Sequence, residues 1–217
     1  MRGCNMLAKG AEPFVIIAIL LIGILMIFLP FYWFMVIPFS SIMVGFSFVL
    51  FFFRDPRRIA PDEKGTLISP ADGKIKQIME DEDRIGVYIQ ISVFDVHVNR
   101  SPLNAKVVDI YKTKGYYWPV WYNNRSFKEN AKQYFKLKTL DNTIICVTQI
   151  SGILAWRCVS YVNVGDTLRQ SDKIGLIRFG SAMFIEFDKQ DGYKLAIKIN
   201  DKVIAGKTII AKRFSDK

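Results

Sequence analysis

Hydrophobic positions are distributed in two unlike ways along the chain. From Pro13 to Phe53 there are 41 consecutive residues with no charged side chain, bounded by Glu12 and Arg54. A helix rises about 1.5 Å per residue and a hydrocarbon core is about 30 Å thick, so about 20 residues span it. The run therefore predicts two crossings, "PFVIIAILLIGILMIFLP" and "FYWFMVIPFSSIMVGFSFVLFFF", with a break near Pro30, where proline removes a helical donor. It is too long for a signal peptide and lacks a small-residue cleavage pattern. A buried helical hairpin of a soluble core is the alternative. Apolarity on every face, and Tyr32 and Trp33 as interfacial anchors, favour the membrane.

After Arg54 the pattern changes. Short apolar runs rich in β-branched and aromatic residues alternate with glycine-containing turns: "TLISPADGKIKQI", "IGVYIQISVFDVHVNR", "AKVVDIYKTKGYYW", "TIICVTQISGIL", "KIGLIRFGSAMFIEF", "VIAGKTIIAKRF". This spacing predicts a mainly β domain of packed or barrel-like sheets. Asp72-Gly73 marks a hairpin or sharp turn. "NNRSFKENAKQYF", residues 123–135, is the one helical candidate in this part. "LISPADGKIKQI" and "VNVGDTLRQSDKIGLI" look like the hammerhead turns of barrel-sandwich domains. No lysine lies between matched methionines, so a swinging-arm carrier is excluded. The expected organisation is a basic tail (1–12), a transmembrane helical hairpin (13–53) and a β domain (54–217).

Charge sharpens the topology. Arg2 and Lys9 precede the apolar run, and Arg54, Arg57 and Arg58 follow it. Basic flanks at both ends place both on the cytoplasmic side, which a hairpin satisfies and a single span does not. Residues 54–217 hold all but two of the 30 basic residues and all but one of the 20 acidic ones, a net of +9. Such a surface suits anionic lipid; no nucleic-acid-binding motif is present, and no nucleic acid is expected as a partner. Cys4, Cys146 and Cys158 form no C-x-x-C, and one histidine cannot build a zinc site, so no metal is expected. Cys146, in "TIICVTQI", reads as core.

That single histidine, His97, stands in "VFDVHVNRSP". On an extended strand Asp95, His97 and Asn99 would share a face. The chain also offers a turn carboxylate, Asp72, and Ser181, which follows Gly180 in "IRFGSAMF". Serine, histidine and aspartate together can attack a carbonyl: the base takes the hydroxyl proton and the carboxylate steadies the imidazolium. No G-x-S-x-G elbow is present. The Gly180 carbonyl, with no side chain beside it, is open to the adjacent Ser181 hydroxyl, so the first substrate would be the chain's own backbone.

Six segments in order resemble the phosphatidylserine decarboxylase proenzymes, in their short, compact branch, which includes archaetidylserine decarboxylase-like members. They are "FFFRDPRRIAP" (51–61), "SPADGKI" (69–75), "VFDVHVNRSP" (93–102), "QISGILAWR" (149–157), "GDTLRQSDKIGLIRFGS" (165–181) and "VIAGKTIIA" (203–211). The resemblance implies a triad of Ser181, His97 and Asp72. It implies cleavage between Gly180 and Ser181 through an ester and a dehydroalanine. The products would be a large chain, 1–180, and a small chain, 181–217, that stay together as a heterodimer. Residue 181 would become a covalent pyruvoyl cofactor, the electron sink for decarboxylating a serine phospholipid at the membrane. His97 would then donate a proton, and Asn99, Arg100 and Arg157 are candidates to bind phosphate or carboxylate. A homo-oligomer is compatible with the reading. Two departures are visible: Arg100 stands where longer relatives carry a second histidine, and "FGSA" replaces their "LGST". The alternative from another class is a non-catalytic, membrane-tethered barrel-sandwich adaptor, which would need neither Gly180-Ser181 nor His97.

Overall fold

The computed structural model describes residues 10–28, 36–153, 158–178 and 180–213. It divides into two compact units, residues 1–56 and 57–217. In the first, α1 (Glu12–Phe28) packs against α2 (Val36–Phe52). Both helices are 17 residues long, and most of their large apolar side chains are exposed. Ser41 and Ser47 return their hydroxyls to the carbonyls of Ile37 (3.0 Å) and Met43 (2.9 Å). An apolar helix can hold a serine when its own backbone supplies the partner. Among the described residues no helix is long and apolar enough to cross a membrane, so the expected transmembrane hairpin finds no support there. Pro30, Tyr32 and Trp33, together with Arg2, Lys9 and Cys4, lie outside the described residues.

The second unit is mainly β. Its strands are β1 (Thr66–Ile68), β2 (Gly73–Glu80), β3 (Arg84–Ile91), β4 (Val98–Arg100), β5 (Ala105–Thr113), β6 (Lys132–Lys138), β7 (Ile144–Ile150), β8 (Cys158–Ser160), β9 (Thr167–Leu168), β10 (Lys173–Ile177), β11 (Ser181–Asp188), β12 (Tyr193–Leu195), β13 (Lys202–Val203) and β14 (Ile209–Arg213). Eight form one antiparallel sheet in the order β13-β2-β3-β11-β7-β6-β5-β9. Two three-stranded sheets, β1-β14-β12 and β4-β10-β8, complete the unit.

Side chains alternate across a strand, so the register sorts the residues of the large sheet into rows. On one face, Leu137, Ile145, Phe187 and Ile85 make a row, and Phe135, Val147, Ile185 and Val87 the next. All eight are buried in the main core. The following row is Gln133, Gln149, Met183 and Ile89, and beyond it Ser181 pairs with Ile91. The buried face thus turns from apolar to polar toward the start of β11. The opposite face carries a smaller cluster of Tyr88, Val120, Ile150, Ala182 and Phe184.

α3 (Asn123–Glu129) supports that smaller cluster. Phe127 meets Phe184 edge-on at 4.7 Å, and Ser126 Oγ lies 3.0 Å from the Tyr88 hydroxyl. The helix covers only the first half of the segment expected to be helical. Asn130 turns extended, and its side chain exchanges hydrogen bonds with the Trp118 backbone (2.8 and 2.7 Å). From Lys132 the chain is strand, with Gln133, Phe135 and Leu137 inward. Asp72-Gly73 is a sharp turn and not a hairpin, because β1 pairs with β14 while β2 pairs with β3 and β13. Cys146 is half-buried, not core: it stands on the partly exposed face of β7, in register with Glu186 and Lys136. Burial pushes its thiol pKa up.

Candidate active site

The turn bearing Asp72 is fixed by the strands beside it. Ser69 N–H donates to the Thr208 carbonyl (2.8 Å), and Arg100 N–H to the Pro70 carbonyl (2.9 Å). The Asp72 carboxylate is buried. One oxygen accepts from Ala205 N–H at 2.7 Å and the other from the Arg58 guanidinium at 2.9 Å. Burial pushes its pKa above the ordinary carboxylate value, and the Asp95 charge adds to the rise. The Ala205 and Val96 amides and the Arg58 charge pull the other way.

His97 is fully buried. It does not lie on a strand with Asp95, as the alternation suggested. Asp95 folds back in a turn, where its carboxylate accepts from Ser92 N–H (2.8 Å), and β4 starts only at Val98. The Asp95 carbonyl, 2.9 Å away, is the partner of His97 Nδ1. The His97 carbonyl accepts from Ile177 N–H at 3.3 Å. β10 therefore runs past the histidine, and only three residues separate Ile177 from Ser181.

Gly180 has φ +59°, in the left-handed region that glycine tolerates and that side chains rarely enter. Ser181 then opens β11 between β3 and β7. Its side chain is fully buried, and its Oγ has no hydrogen-bond partner among the described residues. A buried hydroxyl without a partner costs about 1–3 kcal/mol and calls for an explanation, of which a role in chemistry is one.

The neighbouring polar groups are also buried. Gln149 Nε2 donates to Asn99 Oδ1 at 2.8 Å. Asn99 Nδ2, Gln149 Oε1 and both amide atoms of Gln133 have no partner among the described residues. Arg100 donates to the Ser171 carbonyl at 3.0 Å, which gives it a role in holding that loop. Arg157 lies outside the described residues. Among those described, no three His, Cys, Asp or Glu side chains gather to hold a metal ion.

Two features were out of reach of the residue pattern. Arg58 stood in a basic flank, and nothing in its spacing pointed at Asp72. Gly152, in "QISGIL", faces the Gly180 carbonyl; only its place in a motif could have drawn attention to it.

Comparison with known proteins places the chain in a family. The family described as phosphatidylserine decarboxylase matches residues 46–211. A phosphatidylserine decarboxylase proenzyme of Geotalea uraniireducens is 36% identical over 169 residues, covering 75% of this chain and 78% of the relative. That of Geobacter metallireducens is 31% identical, covering 97% and 98%. A putative archaetidylserine decarboxylase proenzyme of Methanococcoides burtonii is 36% identical, covering 96% and 97%. With the match spanning both the Asp72 turn and the Gly180-Ser181 junction, the chain belongs to the phosphatidylserine decarboxylase family.

Proposed function

We propose that this chain cuts itself between Gly180 and Ser181 and then decarboxylates phosphatidylserine to phosphatidylethanolamine in phospholipid biosynthesis. The observation that supports this reading is the junction itself: a left-handed Gly180 followed by a buried Ser181 whose Oγ has no partner among the described residues. An adaptor would gain nothing from that cost.

His97 takes the proton from Ser181 Oγ, which attacks the Gly180 carbonyl carbon. The C–N bond breaks, leaving an ester and a free amine on residue 181. Loss of the Cα proton then breaks the Cβ–O bond, which gives a Gly180 carboxylate and a dehydroalanine. Water hydrolyses its tautomer, ammonia leaves, and residue 181 becomes an N-terminal pyruvoyl group. Asp72, its carboxylate held by Ala205 N–H and Arg58, stabilises the imidazolium. Ser181 is suited to yield the group, being buried with no competing partner for its Oγ among the described residues.

The pyruvoyl carbonyl supplies the acceptor for the electron pair left when carbon dioxide departs. His97 returns the proton. Asn99 offers a free Nδ2 donor to the phosphate or carboxylate of the lipid; Arg100 and Arg157 add positive charge. The large and small chains remain together, and the apolar, exposed faces of α1 and α2 lodge in the cell membrane with the β unit on its cytoplasmic side. The relative named as a putative archaetidylserine decarboxylase proenzyme supports a second reading, the same headgroup chemistry on archaetidylserine.

Intact mass spectrometry of the purified chain and of Ser181→Ala tests the proposal. Wild type is expected as two pieces, the smaller with the mass of a pyruvoyl-started 181–217, and Ser181→Ala as one. A wild-type chain that stays whole removes the enzyme reading.

A further inference from the structure

The β7–β11 ladder pairs Ala182 with Ile150. Continued two places, the same register sets Gly180 opposite Gly152. A Cβ built on Gly152 would overlap the Gly180 carbonyl oxygen outright, and would lie 2.8 Å from its carbonyl carbon and 3.2 Å from Val120 Cγ1. The oxygen of the carbonyl that Ser181 must attack thus fills the place of the missing side chain.

Residue 152 has little freedom to move away. Ser151 N–H donates to the Ala131 carbonyl at 3.0 Å, and the Ser151 carbonyl accepts from Asn130 Nδ2 at 2.6 Å. Asn130 is buried and tied to Trp118 by two further bonds. Val120, in the smaller core, closes the other side. Apart from its chain neighbours, nothing among the described residues lies within 4 Å of the Gly180 Cβ position. When the two segments compete for space, Gly180 is the one that yields.

We infer that Gly152 is a positioning residue for self-cleavage: by lacking a side chain, it leaves the space in which the Gly180 carbonyl is held for attack by Ser181. The inference rests on the self-cleavage reading above. A side chain at 152 displaces the carbonyl, rotates the Gly180–Ser181 peptide out of line, and leaves the strands on either side in register. Displacement of a reacting atom by about 1 Å costs on the order of 100-fold in rate.

The test follows cleavage of newly made full-length chain in cell-free synthesis, by denaturing gel and intact mass. Gly152→Ala is expected to cut about 100-fold more slowly than wild type. Stability is compared where no cutting occurs: Ser181→Ala with and without Gly152→Ala should melt within about 4 °C of each other. The fraction of Gly152→Ala that is cut on long incubation should decarboxylate lipid at the wild-type rate per pyruvoyl, because Gly180 is by then a chain end. Cutting at the wild-type rate overturns the inference. So does a large loss of melting temperature in the uncut pair, or a fall in turnover per pyruvoyl as large as the fall in cutting; either makes Gly152 a residue of the general fold. If wild type itself stays whole, the underlying reading falls, and this inference with it.

Discussion

Two stretches of one sheet face differ in what they are built to do. At the far end of β11, the rows through Phe187 and Ile185 are apolar, buried and continuous across four strands. At its near end, the same face presents Gln133, Gln149 and Ser181, all fully buried and with orphaned atoms among the described residues. Burying apolar area stabilises a fold by about 25 cal/mol per Å², whereas a buried polar atom without a partner costs about 1–3 kcal/mol. One end of the strand supplies stability and the other spends it. A single β-strand carries both because register fixes the near end through the far end.

The largest expected effect that separates the two ends is at the histidine. His97→Gln should abolish chain cutting, leaving one band on a denaturing gel, while the melting curve remains that of a folded β protein. Phe135→Ala acts at the other end. It should lower stability by about 3–5 kcal/mol in denaturant unfolding, and the chain that stays folded should still cut. Smaller and opposite in sign, Gln133→Leu should raise stability by about 1–3 kcal/mol, since it removes two orphaned amide atoms from the core. A loss of stability there would mean the polar row has hidden partners and the contrast is overstated.

The smallest effect is a shift with pH. Burial raises the Asp72 pKa and Arg58 opposes the rise. Cutting that needs the carboxylate should therefore fall as pH drops through the raised value. Arg58→Ala should move this acid limb to higher pH in the pH profile of the cutting rate. The linkage to stability runs in the opposite direction. The folded chain holds this proton more tightly than the unfolded one, so the stability Asp72 contributes is complete below the unfolded pKa and is lost as pH rises through the folded one.

Much of the site was legible in the residues because it sits in short, ordered motifs. His97, Asp72 and the Gly180-Ser181 pair were each visible as residue types with a chemistry. The mainly β character followed from alternation and turn spacing, as in "AKVVDIYKT", where Ala105 and Val107 are buried and Lys106 is exposed. What failed did so for local reasons. The helix at 123–135 stopped at Glu129 because Asn130 found backbone partners at Trp118 and Ser151. Asp95 left the face of His97 because its carboxylate closed a turn on Ser92. The 41-residue uncharged run suggested two spans, and the helices described within it are 17 residues each. Gly152 and Arg58 were illegible in principle: each matters through a contact across 28 or 14 residues of chain that only the fold creates.

β11 lies between β3 and β7, β13 edges β2, and β14 is held between β1 and β12. A cut before Ser181 would therefore sever the chain without freeing either product, since the short piece is woven into its companion at three separate places. Dilution could not part them. Denaturation could, and recovery would then require two molecules to find each other where the precursor needed only one to fold. Such an enzyme would be assembled as a precursor, and complete unfolding would take away the single-chain route by which it first folded.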